Sequence, residues 1–166
     1  MQESLNNIMD IKLVIFDLDF TLMRNDGIIN IKARDIIKYF KDKGCKIVLC
    51  SLNLMAALYL FDNDIWELFD FVITPKYDDE CENQKEIEQC KSRNKNYMYK
   101  AIIRKFGISR KNIIIFDDSI WHKKEAKKYN IKFIQVDPKL LITWNNVKNA
   151  ERLFNHPGIL RRCDSV

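Results

Sequence analysis

The sequence predicts an α/β fold, a three-layer α/β/α sandwich on a mostly parallel five-stranded sheet. Short runs rich in Ile, Val and Phe alternate with segments in which apolar residues recur at helical spacing. Runs that are apolar throughout are typical of strands buried on both faces. Because helices separate these runs, we expect parallel strands with helices covering both sides of the sheet, which is a Rossmann-like arrangement.

Five strands are predicted, and the helices lie between them. The predicted strands cover residues 11–16, 46–50, 71–74, 112–116 and 132–136. The predicted helices cover residues 31–43, 54–61, 65–69, 96–106 and 120–128, with a final helix that reaches residue 154. Gly44 and Gly107 each end a helix, and Ser119 caps the fifth helix. Asp64 and Glu67, three residues apart, resemble a capping box before the third helix.

Two segments do not follow the alternation of strands and helices. Asn25-Asp26-Gly27 between apolar residues predicts a tight turn, and therefore a small β-flap after the first strand. Residues 77–94 are charged and lack periodicity, which predicts a surface loop. This loop could act as a lid over a site.

Composition predicts a soluble protein of one domain, residues 1–166, with a core of about 11–154 and short tails. Apolar residues make up 47% and charged residues 31% of the chain, and the net charge of +5 is too small for a protein that coats nucleic acid. The sequence contains neither an apolar run that could span a membrane nor a secretory signal. Because the five cysteines include no Cys-x-x-Cys pair, we expect a reducing compartment, the cytoplasm or the nucleus.

Acidic and hydroxyl side chains directly follow three of the predicted strands. They are Asp17 and Asp19 after the first strand, Ser51 after the second, and Asp117 and Asp118 after the fourth. Ligands of open parallel sheets bind beyond the carboxyl ends of the strands, so we expect these side chains to lie close together. Clustered carboxylates repel one another unless a cation neutralises them, and oxygen ligands suit Mg²⁺. The pattern therefore predicts a magnesium site that also receives a phosphate oxygen.

These motifs resemble those of the haloacid dehalogenase superfamily. Residues 16–22, with Asp-x-Asp-x-Thr after an apolar strand, resemble its first motif; Ser51 resembles the second and Asp117-Asp118 the fourth. The third motif of the superfamily is a lysine at the start of the helix before the fourth strand. Lys95 fits this motif best, and Lys100 is the reserve candidate. The resemblance covers roughly residues 11–153.

The resemblance implies a Mg²⁺-dependent phosphomonoester hydrolase that acts through an aspartyl-phosphate. Asp17 would be the nucleophile, and Asp19, in the position that distinguishes phosphatases from dehalogenases, would be the general acid and base. Mg²⁺ would bind Asp17, the backbone carbonyl of Asp19 and Asp118, while Asp117 would act through a bound water. The residues expected to bind substrate are Thr21, Ser51, Asn53 and Lys95.

The spacing of the motifs leaves no room for an inserted cap domain, so the chain looks similar to the capless small magnesium-dependent phosphatases. Those enzymes tend to carry Arg directly after the motif-two Ser, where this chain has Leu52. A site without a cap suits an exposed substrate, such as a phosphoprotein or a phosphorylated metabolite.

Three alternative functions fit parts of the pattern. Phosphatases of the RNA polymerase C-terminal-domain type share the Asp-Leu-Asp-x-Thr core, but their groove needs an inserted strand pair that this sequence lacks. A polynucleotide 3′-phosphatase is suggested by Lys123, Lys124, Lys127 and Lys128 beside Trp121 and His122; because Glu125 lies among these lysines, a solvated helix face is favoured over a nucleic-acid site. The third alternative is a non-catalytic binding module. No catalytic role is expected for His122 or His156. The tryptophans Trp66, Trp121 and Trp144 are expected in the core.

Overall fold

The computed structural model describes residues 10–76 and 80–155. Within these ranges the strands are β1 (Leu13–Phe16), β2 (Lys46–Cys50), β3 (Phe71–Ile73), β4 (Ile113–Asp117) and β5 (Lys132–Gln135). The α-helices are α1 (Ile31–Asp42), α2 (Ala56–Asp62), α3 (Gln84–Lys91), α4 (Asn96–Phe106), α5 (Ile120–Lys128) and α6 (Trp144–Asn155). Short 3-10 helices cover Trp66–Leu68 and Arg110–Asn112.

The five strands form one sheet in the order β3-β2-β1-β4-β5, and every pair is parallel. β1 lies at the centre, with Phe16 beside Leu49 of β2 and Phe116 of β4. All residues of β1 and β4 are buried, which explains why both strands are apolar throughout until Asp117. The predicted fold class is confirmed, with a sheet that is entirely rather than mostly parallel.

The side chains of β1 alternate between two cores, one on each face of the sheet. Val14 and Phe16 pack into the core that α1 and α6 cover. Leu13 and Ile15 pack into the opposite core, which α4 and α5 cover. Helices on both faces give the three layers that the sequence predicts.

The order of the strands places a crevice beside β1. The chain runs outward from β1 through β2 to β3, and then returns to the other side of β1 with β4. The loops after the neighbouring strands β1 and β4 therefore turn toward opposite faces of the sheet and leave a crevice between them. Parallel α/β sheets bind ligands in such a crevice. Asp17 and Asp117 stand at this position.

One local prediction near the first helices is wrong. Asp64 does not cap a helix: its φ is +53°, and the following 3-10 helix begins after Ile65 without a side-chain cap. The small β-flap is present in a reduced form, as isolated bridges that join Met23 to Asp19 and, antiparallel across the turn at Gly27, to Ile29. Gly27 has a φ of +75°, as the predicted turn requires.

The predicted surface loop over residues 77–94 contains a helix. Residues 77–79 lie outside the described residues, but α3 covers Gln84–Lys91. Asn83 begins this helix by accepting a hydrogen bond from the Glu86 backbone N–H at 3.1 Å, and Lys76 binds the Glu86 carboxylate at 3.2 Å. The helix buries no residue completely, so it lacks the apolar periodicity that would have predicted it.

Exposure also corrects the expectation for the tryptophans. Trp66 packs against a core as expected, whereas Trp121 is 68% exposed and Trp144 is 41% exposed.

Over the ranges that the structure describes, there is no helix with the length and apolar character needed to cross a membrane.

Candidate active site

Asp17, Ser51 and Asp117 stand at the carboxyl ends of three neighbouring strands. Asp17 directly follows β1, and its backbone N–H donates to the carbonyl of Phe116 at 3.0 Å, which joins it to β4. Ser51 directly follows β2 and donates its N–H to Ile73. All three residues are buried, so the apolar strands carry polar groups into the edge of the core.

Lys95 joins the two buried carboxylates. Its ammonium lies 2.6 Å from Asp17 Oδ1 and 2.7 Å from Asp117 Oδ2, and its side chain is 1% exposed. Lys95 is the residue before α4, and its backbone N–H donates to Glu125 Oε2 at 2.8 Å. Lys100, the reserve candidate, lies one turn further along α4 and is exposed.

The pKa values show which of these charges are compensated. Burial alone would lower the pKa of Lys95, but Asp17 and Asp117 outweigh this effect and hold it well above its usual range. Burial alone would raise the pKa of Asp117, but Lys95 and His122 outweigh it, so that pKa is lowered. Burial raises the pKa of Asp17 to about 7 although Lys95 opposes the shift. Burial, with Asp117 as the next cause, also raises the pKa of Asp118.

Asp17, Asp117 and Asp118 form an acidic cluster in which one carboxylate oxygen from each lies within 4.8 Å of the others. Oxygen donors at this spacing suit a hard divalent cation, which needs only small side-chain shifts to bring them into its coordination sphere. Burial is the main cause that raises the pKa values of Asp17 and Asp118, and the charge of Asp117 adds to it, so a nearby cation would favour the ionised carboxylates. The donor set therefore fits Mg²⁺.

The oxygens of Asp117 are largely occupied by protein donors. Oδ1 accepts from the Ser119 N–H at 2.8 Å, and Oδ2 binds Lys95. His122 Nδ1 lies 3.0 Å from Oδ1 and 2.9 Å from Oδ2 of the same carboxylate. Asp117 is therefore the carboxylate of the cluster with the least capacity for a direct bond to a metal ion.

Asp19 belongs to a second group of polar side chains, which comes from the loops after β1 and β2. Asn53 Nδ2 donates to Asp19 Oδ1 at 3.1 Å, and the Asn53 backbone N–H donates to Ser51 Oγ at 3.1 Å. Because the hydroxyl of Ser51 receives this bond, its own proton stays available for a ligand. Asn53 thus links the two loops that carry Asp19 and Ser51.

Thr21 is a buried residue of the same loop as Asp19. Its side chain is fully buried, and Oγ1 has no hydrogen-bond partner among the residues that the structure describes. Its backbone carbonyl accepts from Ile142 at 2.8 Å, and its N–H donates to Leu18. The neighbouring Phe20 has a φ of +58°, a conformation that bulky residues rarely adopt. The backbone bonds of Thr21 therefore hold a strained loop in place.

Two residues of α5, His122 and Glu125, contribute to the site although neither was predicted to belong to it. His122, for which no catalytic role was expected, binds the carboxylate of Asp117; His156 lies outside the described residues. Glu125 was expected on a solvated face, but it is only 9% exposed and accepts from the backbone of Lys95. The feature that could have indicated a place for His122 in the site is its position in the first helical turn after Asp117, where its backbone N–H donates to the Ser119 cap.

Residues 14–65 match the sequence model of the haloacid dehalogenase-like hydrolases. No curated protein matches the sequence. The core domain of a Streptococcus pneumoniae TIGR4 protein, provisionally named a phosphoglycolate phosphatase, is 18% identical with a TM-score of 0.55, over 75% of this chain and 79% of that chain.

Two further solved structures have the same fold. A Thermotoga maritima protein provisionally named a beta-phosphoglucomutase is 16% identical with a TM-score of 0.58, over 87% of this chain and 97% of that chain. CbbY from Rhodobacter sphaeroides, solved in complex with phosphate, is 13% identical with a TM-score of 0.55, over 75% of this chain and 85% of that chain. The resemblance predicted from the motifs is therefore confirmed: part of the chain matches the haloacid dehalogenase-like hydrolases, and the described chain has the fold of such proteins.

Proposed function

We propose that this protein is a Mg²⁺-dependent phosphomonoester hydrolase that acts through an aspartyl-phosphate on Asp17. The observation that carries the proposal is the ammonium of Lys95 held between Asp17 and Asp117 at the carboxyl end of the sheet. A nucleophilic carboxylate needs a positive charge beside it when an anionic phosphate approaches. Lys95 supplies that charge in a buried setting, where it is most effective.

Asp17 is the nucleophile in this proposal. Its carboxylate oxygen attacks phosphorus and the bond to the leaving oxygen breaks, so one difficult displacement becomes two easier ones. Lys95 compensates the charge on the phosphoryl oxygens, and the hydroxyl of Ser51 donates to one of them. Water then hydrolyses the aspartyl-phosphate and regenerates the Asp17 carboxylate.

Asp19 is the general acid and base. It donates a proton to the leaving oxygen in the first step and accepts a proton from the attacking water in the second. Asn53 supports this role because its amide, 3.1 Å from Asp19 Oδ1, fixes the orientation of the carboxyl group. Thr21 supports the same loop through its backbone bonds to Leu18 and Ile142.

Asp17, Asp118 and the backbone carbonyl of Asp19 are the groups that would hold Mg²⁺. The proposal that Asp117 acts through a water is supported by its bonds to Lys95, His122 and Ser119, which occupy its oxygens. When bound, Mg²⁺ supplies positive charge for a phosphate oxygen and neutralises the carboxylates around it.

The proposed substrate is exposed, a phosphorylated macromolecule or metabolite, because the motifs are separated by short segments. The segment from β1 to β2 consists of the turn at Gly27 and α1, and the segment from β2 to α4 contains α2, β3 and α3 in its described part. Neither resembles an inserted cap domain. The absence of a cap and the small-phosphatase subfamily are part of this proposal.

The test is hydrolysis of an aryl phosphate by purified protein, with Mg²⁺ and with a chelator. We expect turnover that needs the metal and is abolished in Asp17→Asn. The matched control is Asp62→Asn, the same change at an exposed position at the end of α2, which should keep full activity. Turnover that persists in Asp17→Asn, or in the presence of chelator, would contradict the proposal.

A further inference from the structure

The exposed face of α5 carries positive charge only. Lys123, Lys124, Lys127 and Lys128 are all exposed, and we call these four residues the α5 basic surface. Glu125 is the one acidic residue of α5, but it is buried and bonded to the backbone of Lys95. The four lysines are solvated as expected, but Glu125 is buried against the backbone of Lys95, so the expectation that it lies among them on the exposed face is wrong.

Three of these lysines line an open groove of about 450 Å³, together with Lys132 of β5. Lys132 Nζ is already bonded to the carbonyl of Lys111 at 2.9 Å, so Lys123, Lys124 and Lys127 are the cations that remain for a ligand. Within the described part of the chain, no carboxylate is among the lining residues, whose apolar members are Ile120, Ile131, Phe133 and Leu153. A groove with this lining suits a ligand that has several negative charges and flat apolar groups.

Two large aromatic side chains close in sequence to the proposed site carboxylates are exposed, one in the first turn of α5 and one on the loop after β1. Trp121, three residues after Asp118, is 68% exposed, and Lys124 Nζ lies 4.4 Å from the centre of its ring. Phe20, directly after Asp19, is 39% exposed. An acidic peptide could use the lysines, but it would leave both aromatic surfaces in water. Nucleobases stack on such surfaces while their phosphates bind lysines.

We propose that the α5 basic surface binds the phosphate backbone of a single-stranded nucleic acid, whose phosphorylated end is the substrate. Lys123, Lys124 and Lys127 bind successive phosphates, and a base stacks on Trp121 next to the site. Binding of the strand is independent of the proposed phosphatase activity, whereas delivery of a terminal phosphate to Asp17 depends on it.

Binding is measured first, by fluorescence anisotropy of a labelled oligothymidylate of about 12 nucleotides with the Asp17→Asn variant, which cannot turn over an end phosphate. Three phosphate contacts predict that binding weakens about 20-fold between about 50 and 200 mM salt, since a single strand contributes a slope of about −0.7 per contact. Changing Lys123, Lys124 and Lys127 together to Gln should weaken binding about tenfold or more at low salt and remove most of the salt dependence. Trp121→Ala should weaken binding about tenfold with little change in slope.

The matched control changes three exposed lysines elsewhere, Lys12, Lys32 and Lys38, to Gln. It removes the same charge, so a general electrostatic attraction would weaken equally in both triple variants. Circular dichroism should show that both variants are folded. The proposal would be overturned if both triple variants lost the same affinity for the strand, or if binding by the wild-type protein did not depend on salt. Tighter binding of an acidic phosphopeptide with the same length and charge would overturn it in favour of a protein substrate.

Turnover separates this proposal from the proposed phosphatase activity. The wild-type protein should hydrolyse an end-phosphorylated oligonucleotide at least about tenfold more efficiently than an aryl phosphate at low salt, and this advantage should disappear at high salt. If the protein hydrolyses aryl phosphate but does not bind the strand, the nucleic-acid proposal alone is overturned. If it binds the strand as expected but hydrolyses neither substrate, the phosphatase proposal is overturned while the binding surface is supported. If it binds the strand and hydrolyses aryl phosphate but not the end-phosphorylated strand, delivery of the phosphate alone is overturned.

Discussion

Replacing Lys95 with methionine removes the one ammonium between Asp17 and Asp117 while keeping a side chain of similar length. At 2.6 Å and an effective dielectric constant of about 20, Coulomb's law gives roughly 6 kcal/mol for the contact with Asp17 alone. Part of this attraction offsets the cost of burying the charges. Losing one partner of a buried ion pair typically costs about 3–5 kcal/mol, and this is the loss that we expect for Lys95→Met.

Urea unfolding measures this loss. With an m-value of about 2 kcal/mol per molar, the midpoint should fall by about 1.5–2.5 M. The matched control is Lys100→Met at an exposed lysine of α4, which should change the free energy of unfolding by less than about 0.5 kcal/mol. In Mg²⁺-dependent hydrolysis of aryl phosphate, Lys95→Met should lower kcat/KM by about 10²-fold or more.

A second variant keeps the prediction testable if Lys95→Met does not fold. In Lys95→Met the carboxylates of Asp17 and Asp117 repel each other without a cation between them. Adding Asp117→Asn removes one of the two charges, so the double variant should be more stable than Lys95→Met by about 1 kcal/mol or more. The reasoning is refuted if Lys95→Met is as stable as the wild type, or if Lys100→Met causes the larger loss of activity.

Three further predictions concern single contacts of the site. Asn53→Ala removes the amide that holds Asp19, so kcat should fall about tenfold with little change in KM; a change confined to KM would assign Asn53 to substrate binding instead. Glu125→Gln keeps an acceptor for the Lys95 N–H but removes its charge, so thermal or urea unfolding should show a loss of about 1 kcal/mol; a loss of less than half of that would contradict a role in starting α4. Asp118→Asn should weaken Mg²⁺ binding in calorimetry by at least about tenfold, and unchanged affinity would remove it from the ligands.

Most of the fold could be predicted because the strands are short apolar runs between helical segments. β2 and α4 match their predicted bounds, since Gly44 and Gly107 adopt positive φ values that end the preceding helices. α3 was missed because a helix on the surface needs no full apolar face, and Ile87 and Cys90 are its only apolar residues. The predicted capping box at Asp64 is wrong because the backbone of Asp64 is in the left-handed conformation, from which its side chain cannot cap a helix.

The positions of the strands predicted only part of the candidate site, and Lys95 was predicted from the resemblance to the superfamily. Asp17, Ser51 and Asp117 lie at strand ends, and the direction of the parallel strands brings them to one edge. His122 and Glu125 depend on how α5 packs against its neighbours, and neither the spacing nor the composition of that segment indicates which of its faces is inward. Glu125 between lysines has the pattern of a solvated residue, yet the free N–H at the start of α4 gives it a buried partner.

The buried charges of this site carry out structural and chemical tasks at the same time. Lys95 binds carboxylates at the ends of β1 and β4, and its backbone binds Glu125 of α5, so one residue connects three elements around the crevice. Burial raises the pKa values of Asp17 and Asp118, the charge of Asp117 raises them further, and Lys95 opposes both shifts. The same arrangement leaves an acidic cluster of Asp17, the proposed nucleophile, with Asp117 and Asp118, and a divalent cation is the ligand that we propose for it, because it would bring positive charge to the carboxylates and to an incoming phosphate.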